Sequence, residues 1–151
     1  MTSVHPGTMS ELYGRIDLSK TNYNVTLEYK VLQHPDVERI SSIYRDYCLY
    51  KQFESVMPLF REEFFYPQTD MIAYYDEDVI VGFTMMFRYN THSVAAAQFA
   101  WTYHKPEIRL GINSLHHICA YYKSERYKYL YLGDAAEYKQ SLDGFEICGP
   151  I

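Results

Sequence analysis

The sequence predicts an α+β fold in which helices flank a mixed, mostly antiparallel sheet. Residues 70–75, 79–89 and 93–103 are rich in β-forming side chains and are separated only by short turns, which is typical of consecutive antiparallel strands. A helical pattern over residues 111–125 and a short aromatic strand over residues 128–132 follow directly. Because this helix connects two strands, we expect the second strand to lie parallel to the first.

The first part of the chain adds one strand and two helices. Residues 23–32 alternate and are rich in β-forming side chains, so they are predicted as the first strand. Asp36 is a good N-cap for a helix that runs to about Tyr50. A second, shorter helix is predicted over residues 53–65.

The second and third predicted strands form a hairpin. Residues 76–78 are all acidic and fit the tight turn that joins the two strands. We interpret them as a solvated turn, because three carboxylates at one hairpin tip rarely converge on one metal ion. In the fourth strand, alanines at positions 95–97 would let a helix or another backbone approach closely.

Residues 101–134 form a strand, a helix and a further strand. Pro106 interrupts the fourth strand, because proline lacks an N–H group. Gly111 then opens the helix together with Asn113 and Ser114, since Asn and Ser are good N-cap types. Unpaired N–H groups at the start of such a helix can hold a phosphate or a carboxylate.

The helix has one apolar stripe, and the rest of the chain completes the sheet. The stripe consists of Leu115, Ile118, Cys119 and Tyr122. Cys119 is therefore predicted to be a packing residue rather than a nucleophile. His116 and His117 are adjacent and point about 100° apart, which argues against a zinc site. A short helix around residues 135–140 and a sixth strand over residues 144–148 follow.

Size, composition and charge limit the classes of function. The chain has 151 residues and a net charge of −5, which favours one domain and argues against general binding to DNA. Residues 101–140 carry six Lys or Arg and four Asp or Glu, a balance of +2. This locally basic stretch could hold an anionic ligand. Three cysteines without CxxC spacing favour reduced thiols in the cytoplasm.

Residues 1–20 are predicted to form a flexible N-terminal tail, and residues 21–151 a single domain. No apolar run reaches 18 residues, so no membrane span is predicted. The 17 tyrosines indicate a tyrosine-rich core, while a tyrosine-lined pocket or an interface such as that of a homodimer stays open.

The predicted element order, β-α-α-β-β-β-α-β-α-β, resembles the GNAT-like fold of acyl-CoA N-acyltransferases. This resemblance implies that strands four and five splay apart, and that an acyl carrier lies in the gap against the start of the intervening helix. The gap would lie between residues 100–102 and 129–131. Ligands in general prefer strand ends near helix N-termini, which agrees with this placement.

Several motifs within residues 66–147 resemble the GNAT-like C-terminal catalytic domain of arginyl- and leucyl-tRNA–protein transferases. Residues 129–133 read Tyr-Leu-Tyr-Leu-Gly and match that family most closely. Residues 103–106 stand near its Tyr-Asp-Pro, residues 109–111 at its Ser-Leu-Gly, and residues 138–139 at its Tyr-Lys. The resemblance implies transfer of an aminoacyl group to an amine.

Two departures from known patterns keep other functions open. The segment 134–137 is shorter than its counterpart in the aminoacyl-tRNA–protein transferases. The Gln/Arg-x-x-Gly-x-Gly/Ala motif of acetyl-CoA binding is absent, since position 108 is Ile and position 113 is Asn. The alternatives are a non-enzymatic GNAT-fold binding or assembly module and a CoA-dependent N-acetyltransferase with a degenerate carrier loop.

The chemistry of acyl transfer suggests roles for particular residues. An amine attacks an ester or thioester carbonyl, which requires an oxyanion donor, a route for the proton and positioning. We expect a backbone N–H near residues 100–102 as the oxyanion donor, Tyr131 or Tyr138 as the proton donor to the leaving group, and Glu137 as the base. The predicted carrier-binding residues are Trp101, Tyr103, Arg109, Gly111, Asn113 and Ser114. Aminoacyl-tRNA or acyl-CoA would be the donor, and a small amine or peptide N-terminus the acceptor; no metal is predicted.

Overall fold

The computed structural model describes residues 13–52, 61–102, 108–134 and 140–148, which build one seven-stranded sheet and two α-helices. The strands are β1 (Tyr13–Asp17), β2 (Glu28–Val31), β3 (Thr69–Asp76), β4 (Val79–Arg88), β5 (Ser93–Trp101), β6 (Tyr129–Asp134) and β7 (Phe145–Cys148). The helices are α1 (Val37–Lys51) and α2 (Leu110–Ser124), and the strand order across the sheet is β2-β3-β4-β5-β6-β1-β7.

The central strands confirm the predicted mixed, mostly antiparallel sheet. Strands β2, β3, β4 and β5 pair antiparallel in sequence order, and β6 then pairs parallel to β5. The β3–β4 hairpin closes with Asp76 opposite Val79, so that its two-residue loop is Glu77-Asp78. Both loop residues have positive φ, 50° and 68°, as the tightest hairpin turns require. The acidic turn predicted at this position is confirmed.

Strand β1 corrects the predicted tail over residues 1–20. Tyr13–Asp17 lies between β6 and β7 and pairs antiparallel with both, while residues 1–12 lie outside the described part of the chain. Ile16 and Leu18 are completely buried, so apolar burial secures this segment. The first predicted strand, residues 23–32, is shorter than expected, because only Glu28–Val31 pairs with β3.

The two helices cover opposite faces of the sheet. Helix α1 packs on β4 and β5, and Asp36 caps its start by accepting a hydrogen bond from the Arg39 N–H at 3.1 Å, as predicted. Helix α2 packs on the other face, where Ile118 and Tyr122 join the core formed by β1 and β6. Within the described ranges, neither helix is long and apolar enough to cross a membrane.

Two predicted helices fall largely outside the described residues. For the helix expected over residues 53–65, only Arg61–Phe65 is described, and it forms a 3-10 turn. The short helix expected around residues 135–140 lies outside the description except for its last residue.

Candidate functional site

An open cleft of about 890 Å³ lies between the end of α1, strand β5 and the first half of α2. Its walls are mostly apolar, which suits a ligand with a long uncharged part. The cleft is lined by Tyr47, Lys51, Thr84, Ala96, Ala97, Gln98, Phe99, Trp101, Arg109, Gly111, Ile112, Ser114, Leu115, Ile118 and Leu132.

The cleft exists because β5 and β6 separate partway along their length. Their parallel pairing runs from Ser93 opposite Tyr129 to Ala95 opposite Tyr131 and then ends. Beyond that point β6 continues to pair with β1 as far as Asp134. The predicted splay between these two strands is therefore present. Its predicted position is wrong on one side: Tyr129–Tyr131 are paired with β5, and the gap faces Leu132 instead.

A β-bulge lies in each strand where the two part. In β5, Gln98 is opposite Met85 and Ala96 is opposite Met86, so Ala97 has no register partner on β4. In β6, Leu132 is skipped in the register with β1. Bulges bend a strand and increase its local twist. These two bulges therefore turn the strands away from each other.

The β5 bulge also changes which side chains face α2. Val94 and Ala96 face α2 before the bulge, whereas Phe99 and Trp101 do so after it.

The β5 bulge also bears on the predicted oxyanion donor, a backbone N–H near residues 100–102. The N–H of Thr102 donates to Val81 O at 2.8 Å and is therefore already used. Ala97 lines the cleft and has no register partner on either neighbouring strand, which makes its N–H a further candidate for this donor.

Helix α2 starts earlier than predicted. It begins at Leu110, and its N-cap is Arg109, which has a left-handed backbone with φ 52° and makes no side-chain capping hydrogen bond. The Asn113 N–H already donates to Arg109 O at 3.0 Å, so the N–H groups of residues 110–112 precede the first helical bond. The Asn113 side chain donates to Ile108 O and the Ser114 hydroxyl to Gly111 O; neither caps the helix.

An aromatic cluster forms one wall of the cleft. The Trp101 ring lies 4.4 Å from the Tyr47 ring and 5.0 Å from the Phe99 ring, centroid to centroid. The Lys51 ammonium lies 5.1 Å from the Trp101 ring centroid. The indole also lies against Gly111 at the start of α2. Lys51 and Arg109 thus bring two positive charges to a cleft whose other walls are largely apolar.

Gly82 on β4 fixes the position of the start of α2. A Cβ atom on Gly82 would lie 2.6 Å from Leu110 Cδ2 and 2.9 Å from Ala100 O. We expect Gly82→Ala to displace Leu110, to lower the free energy of unfolding by about 2 kcal/mol and to deform the cleft. Urea unfolding would measure the loss.

Gly111→Ala is the matched control for Gly82→Ala. A Cβ atom on Gly111 would be 3.5 Å from the nearest Trp101 atom, an ordinary contact, and alanine favours helix over glycine. We expect this variant to be as stable as the wild type or more so. Equal stability of the Gly82→Ala variant would contradict the tight fit at Leu110.

Of the three predicted catalytic residues, the structure describes only Tyr131. The Tyr131 hydroxyl accepts a hydrogen bond from Arg15 Nη1 at 3.4 Å, and Arg15 Nε donates to Glu146 at 2.7 Å. These two partners raise the pKa of Arg15, so the guanidinium stays charged. Tyr131 does not line the cleft. Tyr103, Glu137 and Tyr138 lie outside the described residues, and the roles assigned to them stay predictions.

Among the predicted carrier-binding residues, four line the cleft: Trp101, Arg109, Gly111 and Ser114. Asn113 does not. Sequence reasoning missed Thr84, a buried cleft residue, and the complete burial of His117. The helical spacing of Leu110, Ser114, His117 and Ile118 could have indicated that His117 faces the sheet.

The histidines and the cysteine of α2 are packing residues. His116 stacks on Tyr23 at 4.1 Å, whereas His117 meets the edges of Tyr29 and Tyr74. Burial raises the pKa of Cys119 to about 12, so it is a neutral thiol at physiological pH. The described parts of the chain hold no group of three or more His, Cys, Asp or Glu side chains that could bind a metal.

The chain has a GNAT-like fold, and solved structures that share it include several acyltransferases. L-PGS from Bacillus licheniformis has a TM-score of 0.60 at 10% identity, over 82% of this chain and 46% of that one. A GCN5-related N-acetyltransferase from Kribbella flavida has a TM-score of 0.51 at 16% identity, over 89% and 52%. N-myristoyltransferase from Saccharomyces cerevisiae, with bound myristoyl-CoA and inhibitors, has a TM-score of 0.54 at 11% identity, over 80% and 41%.

The chain spans about half the length of these three structures or less. No protein-family model matches the sequence, and no curated protein matches it significantly. The finer resemblance to arginyl- and leucyl-tRNA–protein transferases stays a prediction.

Proposed function

We propose that this protein transfers an acyl or aminoacyl group from a phosphate-bearing carrier to an amine. The observation that carries the proposal is the cleft at the splay of β5 and β6, which reaches the start of α2. The shared fold with acyltransferases supports it. The donor would be an acyl-CoA or the aminoacylated end of a tRNA, and the acceptor a small amine or a peptide N-terminus.

The carrier's phosphates would lie where the cleft meets the start of α2. There Arg109 and Lys51 line the same space as Gly111, and the first N–H groups of α2 have no helical acceptor. A helix start with nearby cations favours a bound anion. The apolar walls formed by Phe99, Trp101 and α2 would then surround the uncharged arm of the carrier.

The acyl carbonyl would lie at the β5 bulge. The Ala97 N–H would donate to the carbonyl oxygen as negative charge develops on it. The amine nitrogen forms a bond to the carbonyl carbon, the bond from that carbon to the carrier's sulfur or oxygen breaks, and the amine's proton passes to the leaving group. No carboxylate or imidazole is among the described residues that line the cleft. Glu137 and Tyr138 are our candidates for moving this proton.

Because no described residue of the cleft lining is a carboxylate or an imidazole, a second candidate is also favoured. It is a module that binds an acyl carrier without transferring its group. The two functions predict the same binding and different turnover. Incubation with acetyl-CoA or with charged tRNA, together with amines and an N-terminal peptide library, would separate them by mass spectrometry of the acceptor. Binding without any modified acceptor would select the module, and the absence of both binding and transfer would remove both functions.

Arg109 and Arg126 provide a matched test of the phosphate site. Both are exposed arginines with positive φ, 52° and 71°, at opposite ends of α2. We expect Arg109→Gln to weaken donor binding about five- to tenfold, the loss of about 1 kcal/mol from one charged contact. Arg126→Gln should bind as the wild type does. Calorimetric titration at low and high salt would measure both, and equal losses in the two variants would contradict a local site.

A further inference from the structure

Thr84 lines the cleft, and a hydrogen bond to a buried residue of the neighbouring strand β3 fixes the orientation of its hydroxyl. Thr84 on β4 lies opposite Phe99 on β5, next to the Ala97 bulge. It is only 2% exposed, yet it lines the cleft. Behind it, the Tyr74 hydroxyl lies 2.7 Å from Thr84 Oγ1. Tyr74 itself is completely buried.

Counting protons gives the direction of this hydrogen bond. Two hydroxyls carry two protons, and the single bond between them uses one. If Thr84 donated, the phenolic proton of Tyr74 would remain in the core without an acceptor among the described residues, which is unfavourable. His117 packs edge-on against Tyr74, but neither ring nitrogen of His117 has a partner among the described residues. Tyr74 therefore donates to Thr84, and the proton of Thr84 is left for the cleft.

The other buried hydroxyl of the cleft does not offer the same group. Ser114, also 2% exposed, already donates to Gly111 O at 3.1 Å. Arg109 and Lys51 are cations that suit a phosphate, whereas a neutral hydroxyl donor within mostly apolar walls suits a neutral acceptor. A carbonyl oxygen is such an acceptor.

We propose that Thr84 donates a hydrogen bond to a carbonyl oxygen of the acyl donor, and that Tyr74 is the positioning residue that orients it. The proposal rests on the proposed function, because it requires an acyl donor in this cleft. The carbonyl could belong to an amide in the carrier's arm or to the acyl group itself. Both sources have the same chemistry, and the choice of probe distinguishes them.

Calorimetric titration with three probes tests the contact: CoA, acetyl-CoA, and an adenosine that carries an amide-linked amino acid at its 3′ position. We expect Thr84→Val to weaken binding about fivefold, as for one neutral hydrogen bond. Thr84→Ser keeps the hydroxyl and should bind as the wild type does. Weaker binding of CoA and acetyl-CoA alike would indicate a carrier amide. Weaker binding of acetyl-CoA or the aminoacyl adenosine, with CoA unchanged, would indicate the acyl carbonyl.

Tyr74→Phe is the second variant, in case Thr84→Val does not fold. It removes the orienting proton and keeps Thr84, so we expect binding to weaken about two- to threefold. If both Thr84→Val and Tyr74→Phe bind every probe as the wild type does, the proposal is overturned while the proposed function stands.

The orientation can also be read without a ligand. In protein labelled with ¹³C at tyrosine and threonine, we expect the proton of this hydrogen bond to couple through bonds to the ring carbons of Tyr74. Coupling to Thr84 Cβ instead would overturn the assigned direction. A wild-type protein that binds none of the probes would remove the proposed function, and the ligand assignment with it, whatever the NMR result.

Discussion

Replacing Gly144 with alanine is expected to lower the free energy of unfolding by about 3 kcal/mol. Gly144 precedes β7 and has φ 74°, a conformation that costs about 1 kcal/mol or more for a residue with a Cβ atom. That Cβ would also lie 2.5 Å from Asp17 O, a backbone atom at the end of β1. The Asp17 N–H donates to Gly144 O at 2.9 Å. The clash would therefore separate β7 from β1.

Gly133→Ala is the control for this prediction. Gly133 has φ 81°, and nothing lies within 4 Å of its added Cβ atom. It therefore carries the conformational cost alone, about 1 kcal/mol. In thermal unfolding, the melting temperature of Gly144→Ala should be about 6–12 °C below that of the wild type. The melting temperature of Gly133→Ala should lie between those of Gly144→Ala and the wild type. Equal shifts would show that backbone conformation, not the contact with Asp17, sets the cost.

The sequence predicted the centre of the sheet well because its signals are local. Strands β3, β4 and β5 follow each other with short turns, and Asp78 is a residue type that tolerates the positive φ of the β3–β4 turn. Strand β1 was missed for the opposite reason. Its five residues, Tyr-Gly-Arg-Ile-Asp, have no clear apolar alternation, and its partners β6 and β7 lie more than 100 residues away in the sequence.

The candidate site was predicted only in part, because its shape depends on register. Arg109 and Gly111 were found from the start of a helix, which is visible in the sequence. The bulges at Ala97 and Leu132 are mismatches between strands, and no property of a single strand reveals them. Because the sequence does not show the bulges, we predicted the gap opposite residues 129–131. In the structure Tyr131 pairs with Ala95 of β5. In the sequence, Thr84 is one residue of a largely apolar strand. Only the structure shows that its hydroxyl contacts that of Tyr74.

We expect His117 to make the protein less stable in mild acid. Burial lowers the pKa of this imidazole from 6.5 to about 4, and its two ring nitrogens have no partner in the described parts of the chain. In the unfolded chain the imidazole takes up a proton as the pH falls below about 6.5, whereas in the folded protein it stays neutral until about pH 4. Because the unfolded state binds more protons in this window, stability falls as the pH falls. The shift corresponds to about 3 kcal/mol.

The change His117→Leu isolates this contribution from that of the carboxylates. Leucine has no group to protonate and no unpaired nitrogen, so we expect the variant to match or exceed the wild-type stability at pH 7. Urea unfolding from pH 7 to pH 4 should show the variant gaining up to about 3 kcal/mol on the wild type as the pH falls. His34→Gln, which changes an exposed histidine, should follow the wild-type curve. Parallel curves for His117→Leu and the wild type would contradict a buried neutral imidazole at position 117.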